Sequence, residues 1–476
     1  MLGLFGTLNL GTRSLATQQQ GTEIAGHNLA NVNNPAYARQ RLSIATSLTV
    51  PTEVGPQGAG ADGVAIVQLR NGLLDLQIQA ETSVRGSLHA QQTALQYVQA
   101  NLGQQIDRQA SGAAGAAATG GVGGQNGIAE HLSNLFNSFQ SLSTNPTSMA
   151  ERQVLLGKAQ NLASQFNQIS ARLGNVNSSL NQSVSDDVTK ANAAIADIAK
   201  LNDQIIKAEV GGSGMANDLR DLRQQKIEEL SKLVNITSTA QSNGAVDITI
   251  GGVAMTNGPL VLDQLEAFDS GGGQLLVRAQ TVGSTLTLTG GSIQGTIDAR
   301  DGALAGLRGQ LDILAGQLIT EINAVHSAGY DLSGNTGETF FTGTDAATIR
   351  VNNVLVTSPG RIQTASVPGA VGDNRVALAL AQLADKKIAT LGNQTFSQNF
   401  GQSVSSLGQS LSSVNSQIDN QAVVENMLSK QRDSISGVSL DEEMTDLIRF
   451  QKAFQASARL ITTIDEMLDT IVNMKR

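Results

Sequence analysis

The hydrophobic pattern changes period along the chain, and each change marks an element. Residues 4 to 33 carry apolar positions at helical spacing, Phe5, Leu8, Leu15 and Leu29, on a face shared with Thr12, Gln19, Thr22 and Gly26. So thin a stripe predicts a helix that is marginal alone. The stretch NLANVNNPAYARQRLS, Asn28 to Ser43, closes it with four Asn and Pro35, because the residue before a proline avoids helical angles. From 41 to 70, RLSIATSLTV and GVAIVQLR read as extended segments around a Gly/Pro-rich turn. Helical patterns rich in Gln, Asn, Ala and Leu are expected at 70–109, 128–174 and 176–235, interrupted by the flexible tract ASGAAGAAATGGVGGQNG. Between 236 and 295 the period drops to two, and VDITI, PLVLD, QLLVRAQ and TLTLT predict short strands between Gly-rich turns. Helical spacing returns at DGALAGLRGQLDILAGQLITEINAVHSAG, at about 373 to 436, and from Ser439 onward. Helices, strands, then helices predict an α+β multidomain chain in which a small β-rich domain is inserted into a body of long helices.

The last segment has the clearest pattern. Alternating steps of three and four give Leu447, Phe450, Phe454, Ser457, Ile461, Ile464, Leu468 and Ile471, all apolar but Ser457. This is the spacing of a coiled-coil seam, although an internal core stripe would show it too. Ser439 and Glu442 fit an S-x-x-E capping box, and Asp441, Glu443 and Asp446 crowd the first turns, with Lys475 and Arg476 at the far end, as the helix dipole prefers. A two-position seam does not offset the entropy of ordering so long a helix, so a partner helix is required. The thin-striped first helix is the natural candidate, and the pair in turn calls for neighbouring subunits, with both ends ordered on assembly.

Composition narrows the function classes. A chain of 476 residues predicts two to four domains. Aromatics are 3% and Trp is absent, which suits helix packing better than deep ligand pockets. The net charge of −9, without a basic stripe, argues against nucleic acid. There is no Cys, so disulfides and thiolate chemistry drop out, and the four His (His27, His89, His131, His326) are too scattered to suggest a metal site. No run approaches the roughly 20 apolar residues of a membrane helix, and the N-terminus lacks the features of a cleaved signal peptide.

The remaining motifs each have a plainer reading. GAGADG, Gly58 to Gly63, matches G-x-G-x-x-G but is followed by the strand-like VAIVQLR, so it reads as a turn before a strand. DLSGNTGETFFT, Asp331 to Thr342, places Asp331, Ser333 and Asn335 as in a calcium loop. It has Thr336 where Gly is required and Thr342 where Glu is, and reads as a structural turn. The SLDEE carboxylates are accounted for by capping. Tyr37, Arg39 and Arg41 could hold an anion, but an interface contact fits an acidic chain better. No ordering of Ser, His and Asp suggests catalysis, so neither catalytic residues nor cofactors nor metals are expected.

Three stretches together resemble a known family. LANVNNPAYARQ is similar to the N-terminal signature of bacterial flagellar axial proteins, with Asn34 where Thr is usual and Ala36 where Gly is usual. If that Gly serves a positive φ, Ala36 would alter the turn. SGVSLDEEMTDLIRFQKAFQASARLITTIDEMLDTIVN resembles the C-terminus of the hook-associated members, and GTIDARDGALAGLRGQLDILAGQLITEINAVHSAGYDLSGNTGETFF and GDNRVALALAQL resemble their central region.

The resemblance implies a structural subunit, not an enzyme, exported unfolded without a cleaved signal and located in the extracellular flagellum at the hook–filament junction. There it would join a ring or helical zone of about eleven copies. Its implied partners are the hook protein below, a second junction protein above and an export chaperone, with no nucleic acid and no membrane insertion. Residues 1–40 and 437–476 would form paired inner-core helices. Residues 41–235 and 296–436 would form the helical body, and 236–295 the inserted domain. Subunit contacts are then expected at Asn28, Asn31, Pro35, Tyr37, Arg39 and Gln40, and along the seam at Leu447, Phe450, Phe454, Ile461, Ile464, Leu468 and Ile471. Rival readings are a hook or distal rod subunit and, from another class, a surface adhesin or glycan-binding protein, which the dearth of aromatics in the insert disfavours.

Overall fold

The computed structural model describes residues 3–52, 55–102, 127–211 and 214–474. The Gly/Ala tract lies outside these residues except for its last glycine, and Lys475 and Arg476 lie outside them as well. The chain opens with helix α1 (Leu4–Ala30) and a pair of two-stranded ribbons, β1 (Gln40–Thr46) with β4 (Ala61–Gln68) and β2 (Thr49–Thr52) with β3 (Gly55–Gly58). Helices α2 (Gly72–Asn101), α3 (Ile128–Thr144), α4 (Met149–Glu209) and α5 (Asn217–Leu233) follow.

Strands β5 (Thr237–Ala240), β6 (Val246–Ile250) and β7 (Val253–Ala254) make one antiparallel sheet. Hairpins β8 (Thr256–Asn257) with β9 (Leu260–Val261) and β10 (Leu265–Asp269) with β11 (Leu275–Ala279) complete the strand lobe. A helix interrupted by a π turn at Ala299–Leu304 comes next, α6 (Gly291–Asp298) before it and α7 (Ala305–His326) after it. The last elements are β12 (Phe341–Thr342), β13 (Arg350–Val351), α8 (Asn353–Thr357), α9 (Arg375–Gln382), α10 (Phe396–Ser436) and α11 (Leu440–Asn473).

The two helices expected over 128–235 are three. The break falls before Pro146, where Ser148 accepts from the Glu151 amide as N-cap, and again after Glu209, but not near 175. Gly174 sits inside a 61-residue helix whose buried positions continue through Leu173, Val176 and Leu180, so packing overrides its low propensity. The helix expected over 373–436 is also divided, because Thr395 and Gln398 form a reciprocal capping box that starts α10. TLTLT is not a strand. Thr285 makes a single bridge to Arg278, while Leu286 and Leu288 turn into the lobe. GAGADG is a turn, Gly58 ending β3 and Gly60 at φ +112° leading into β4. Ala36 is not at positive φ, so the missing glycine costs nothing there.

Among the described residues two apolar cores result. The larger one joins Leu135, Phe139 and Leu142 of α3 with Leu155, Leu162, Phe166 and Leu173 of α4, Leu314 and Leu318 of α7, and Phe396, Phe400 and Leu407 of α10. Within it Phe340 packs tilted against Phe139 and edge to face against Phe341. Asp331 closes its loop as a turn, accepting from the amides of Ser333 (2.7 Å) and Asn335 (2.8 Å) and from the Asn335 side chain (3.0 Å). The smaller core packs Ile248, Ile250 and Val277 of the strands on Val184, Ile195 and Ile198 of α4, Ile227 and Leu230 of α5, and Ile293 of α6.

Candidate functional site: the terminal hairpin and its neck

Helices α1 and α11 lie against each other in opposite directions. Gly11 faces Ile461, the hydroxyls of Ser14 and Ser457 are 2.9 Å apart, Gly21 faces Phe450, and Asn28 reaches Glu443. The contact on α1 is not the expected stripe. Phe5 is 76% exposed, and the buried face is Gly11, Thr17, Gly21, Ile24, Ala25 and Asn28. A Cβ on Gly21 would stand 2.6 Å from the Phe450 ring, and one on Gly11 would stand 2.9 Å from Ile461. Glycine here serves close approach, so the large seam residues of α11 enter notches in α1.

In the single chain that seam is only partly covered. Ile464 is buried (1% exposed), Leu447, Phe450, Phe454, Ile461 and Leu468 are half-buried, and Ile471 is 52% exposed. Met444, Ile448 and Met467 stand out on the flanks of α11. Apart from the β1–β4 ribbon, which meets α1 through Arg13 on Asp62 (3.0 Å) and the Thr17 hydroxyl on the Ala61 carbonyl (3.1 Å), the hairpin has little covered area and is marginal by itself.

The opening Asn-rich stretch builds the neck that joins this hairpin to the body. After α1, the Asn34 side chain accepts from the Ala36 amide and turns the chain back. Tyr37 then donates to Asn28 Oδ1 (2.7 Å). Asn28, 1% exposed, uses its whole capacity. Its Oδ1 also accepts from the Gln40 amide (2.9 Å), and its Nδ2 donates to the Gln40 carbonyl (2.9 Å) and to Glu443 (3.0 Å). One side chain thus ties α1, β1 and α11 together. Burial, and then the carboxylates of Asp218, Asp221 and Glu443, hold the Tyr37 phenol far above its ordinary value, so it stays a neutral donor.

Arg39 binds the start of α11, Nε at 2.6 Å from Glu443, Nη1 at 2.5 Å from Glu442 and Nη2 at 3.7 Å from Asp446. Burial would lower its pKa, but Glu443 and Glu442 outweigh that and raise it. On the other side, Asp221 of α5 accepts from the Ala38 amide (3.2 Å) and from Arg70 (2.9 Å), and Asp218 accepts from Gln40 (2.9 Å). The backbone adds Arg39 N–H to the Ser436 carbonyl at 2.9 Å.

Two expectations need correction. Asn28, Tyr37 and Gln40 are buried within one chain, so these side chains are not free to meet a neighbour, whereas Asn31 is half-buried and Pro35 exposed. Ser439 is the N-cap of α11, but its side chain caps nothing, and Glu442 turns to Arg39 instead of the cap amide. A guanidinium is the stronger partner for a carboxylate. The Asp218, Asp221 and Arg70 half of the neck left no sequence signal, since nothing in spacing links residues so far apart along the chain. We expect Asn28→Leu, which strands the Tyr37 hydroxyl and Gln40 amide, to weaken the neck by about 1–3 kcal/mol. Amide exchange at Gln40 should then accelerate roughly tenfold or more; an unchanged rate would contradict the role given to Asn28.

The chain matches two family descriptions, the flagellar hook-associated protein FlgK helical domain over residues 121–341 and the flagellar basal body rod FlgEFG protein C-terminal region over residues 430–474. It is 29% identical over 521 aligned positions to flagellar hook-associated protein 1 of Bacillus subtilis, covering 99% of each chain. It is 26% identical to the protein of the same name from Salmonella typhimurium, covering 70% of this chain and 79% of that one. In fold it resembles the flagellar hook junction protein FlgK from Burkholderia pseudomallei, with a TM-score of 0.61 at 18% identity over 76% of this chain and all of that one. No described helix is long and apolar enough to cross a membrane.

Proposed function

Because the chain belongs to the flagellar hook-associated protein family, we propose that it is the structural subunit joining hook to filament, working by polymerisation rather than by chemistry. The observation that carries this is the glycine-notched hairpin of α1 and α11, whose seam and flanks stay half-covered in one chain. Adjoining copies would cover them. In this reading residues 1–40 and 437–476 form the inner core of a tube. Residues 41–235 and 296–436 form the helical body, and 236–295 form the strand insert facing outward. About eleven copies in a ring or helical zone would seat on the hook protein below and carry a second junction protein above. Delivery by an export chaperone and an extracellular location complete the reading, and the absence of cysteines suits passage as an unfolded chain.

Deleting the protein should leave hooks without filaments and release filament subunits to the medium; normal filaments in the deletion strain would end the proposal. The likeness of residues 430–474 to the rod-protein C-terminal region supports a second reading, a hook or distal rod subunit. Electron microscopy separates the two, since loss of a hook or rod subunit removes the hook itself.

A further inference from the structure

The two apolar cores meet without merging. Along α4 the last member of the larger core is Leu180 and the first of the smaller is Val184. Along the other connecting helix the boundary falls between Ile297 and Ala299, where the π turn begins. In that turn the Ala305 amide donates to the Arg300 carbonyl, one residue further back than in an α-helix.

What fills the boundary is polar. Arg300, fully buried, donates to Asn181 Oδ1 (2.6 Å) and to the Leu275 carbonyl (2.7 Å), and its other face pairs with Asp301 (2.7 and 2.9 Å). Asn181 in turn donates to the Gly273 carbonyl (2.7 Å). Helices α6 and α5 meet α2 backbone to backbone at glycines, Gly295 on the Ser87 carbonyl and the Lys232 carbonyl on Gly86.

We infer that Ala299–Leu304 is a conformational joint, about which the strand lobe tilts on the helical body around the Arg300–Asn181 contact. Interdigitated side chains would hold one arrangement, because packed cores resist continuous deformation. A guanidinium with five donors, facing an amide oxygen, a backbone carbonyl and a carboxylate, can exchange partners over a small rotation. A π turn is a usual place for a helix to bend, and its extra residue stores the slack. The continuous α4 limits the motion to a small tilt.

Since the chain has no cysteine, pairs of introduced cysteines can be spin-labelled cleanly. Met149→Cys with Val282→Cys spans body and lobe, and Met149→Cys with Ile313→Cys stays within the body; all three positions are exposed. The joint predicts a body–lobe distance distribution about twice as broad as the body–body one. Deleting Gly302, an exposed residue of the π turn, should restore a plain α-helix and narrow only the body–lobe distribution. Equal widths for the two pairs in the parent chain would overturn the inference. Should the deletion misfold, Asn181→Ala replaces it: further broadening supports the joint, and an unchanged width refutes it. All of this is read on the unassembled chain, so its failure is separate from failure of the assembly reading.

Discussion

Replacing Gly21 with leucine separates the terminal helices and stops incorporation into the axial structure while the two cores stay folded. A Cβ at this position already stands 2.6 to 2.8 Å from three atoms of the Phe450 ring, and a larger side chain fills the notch entirely. Overpacking of this kind costs about 1–3 kcal/mol, which a hairpin with a half-covered seam does not have in reserve. The substitution also raises helix propensity by roughly 1 kcal/mol, so α1 on its own becomes the better helix. Failure to assemble would therefore come from lost pairing and not from unwinding. Gly11→Leu, against Ile461, should act in the same direction. The checks are motility and electron microscopy of the variant strain together with far-ultraviolet circular dichroism of the purified chain. Normal filaments on Gly21→Leu would remove the notch from the account.

Acid should destabilise the larger core through His326. This side chain is fully buried. Its Nδ1 donates to the Glu338 carbonyl at 2.8 Å, and its Nε2 accepts from the Gln363 amide at 3.0 Å. A second ring proton would point at an N–H. Burial, and the nearby Arg152 charge, push its pKa down to about 4. Arg152 is itself fully buried and lowered to about 10 by burial, its guanidinium donating to the carbonyls of Pro146 and Ile362 (2.7 and 2.6 Å).

For a histidine whose folded pKa lies below its unfolded value, the unfolded chain binds the proton first. The contribution is complete above about pH 6.5, shrinks as pH falls, and levels off below about pH 4, a loss of about 3 kcal/mol. Carboxylates held low by hydrogen bonds, such as Asp331 and Asp373, lose their contributions further down. Urea unfolding of the parent chain should weaken by that amount between pH 7 and 4, and His326→Gln should flatten the slope in this window alone. Parallel slopes in the two proteins would refute the assignment.

What could be read from the sequence follows from where hydropathy carries information. The α11 seam was legible because its apolar positions repeat, and VDITI and QLLVRAQ because their alternation matches β6 and β11. The matching face of α1 was not, since Gly11 and Gly21 carry no hydropathy signal and only geometry shows them as receptacles. In the neck, Asn28 looked like a turn residue, but its four bonds run to Tyr37 in the turn, to Gln40 of β1 and to Glu443 of α11. The cap at Ser439 failed for a related reason, because Arg39 arrives from four hundred residues away to compete for Glu442. Buried Arg152 and His326 were likewise invisible, as they meet mostly backbone carbonyls and amides that any sequence supplies, and so was Arg300, whose partners Asn181 and the Leu275 carbonyl lie far from it along the chain.

The most direct test of the account is amide hydrogen exchange on the purified, unassembled chain. It predicts fast exchange in α1 and α11 beside slow exchange in α4 and α7, with protection of the two terminal helices appearing only when copies join. Terminal helices as slow to exchange as α4 in the solitary chain would contradict it.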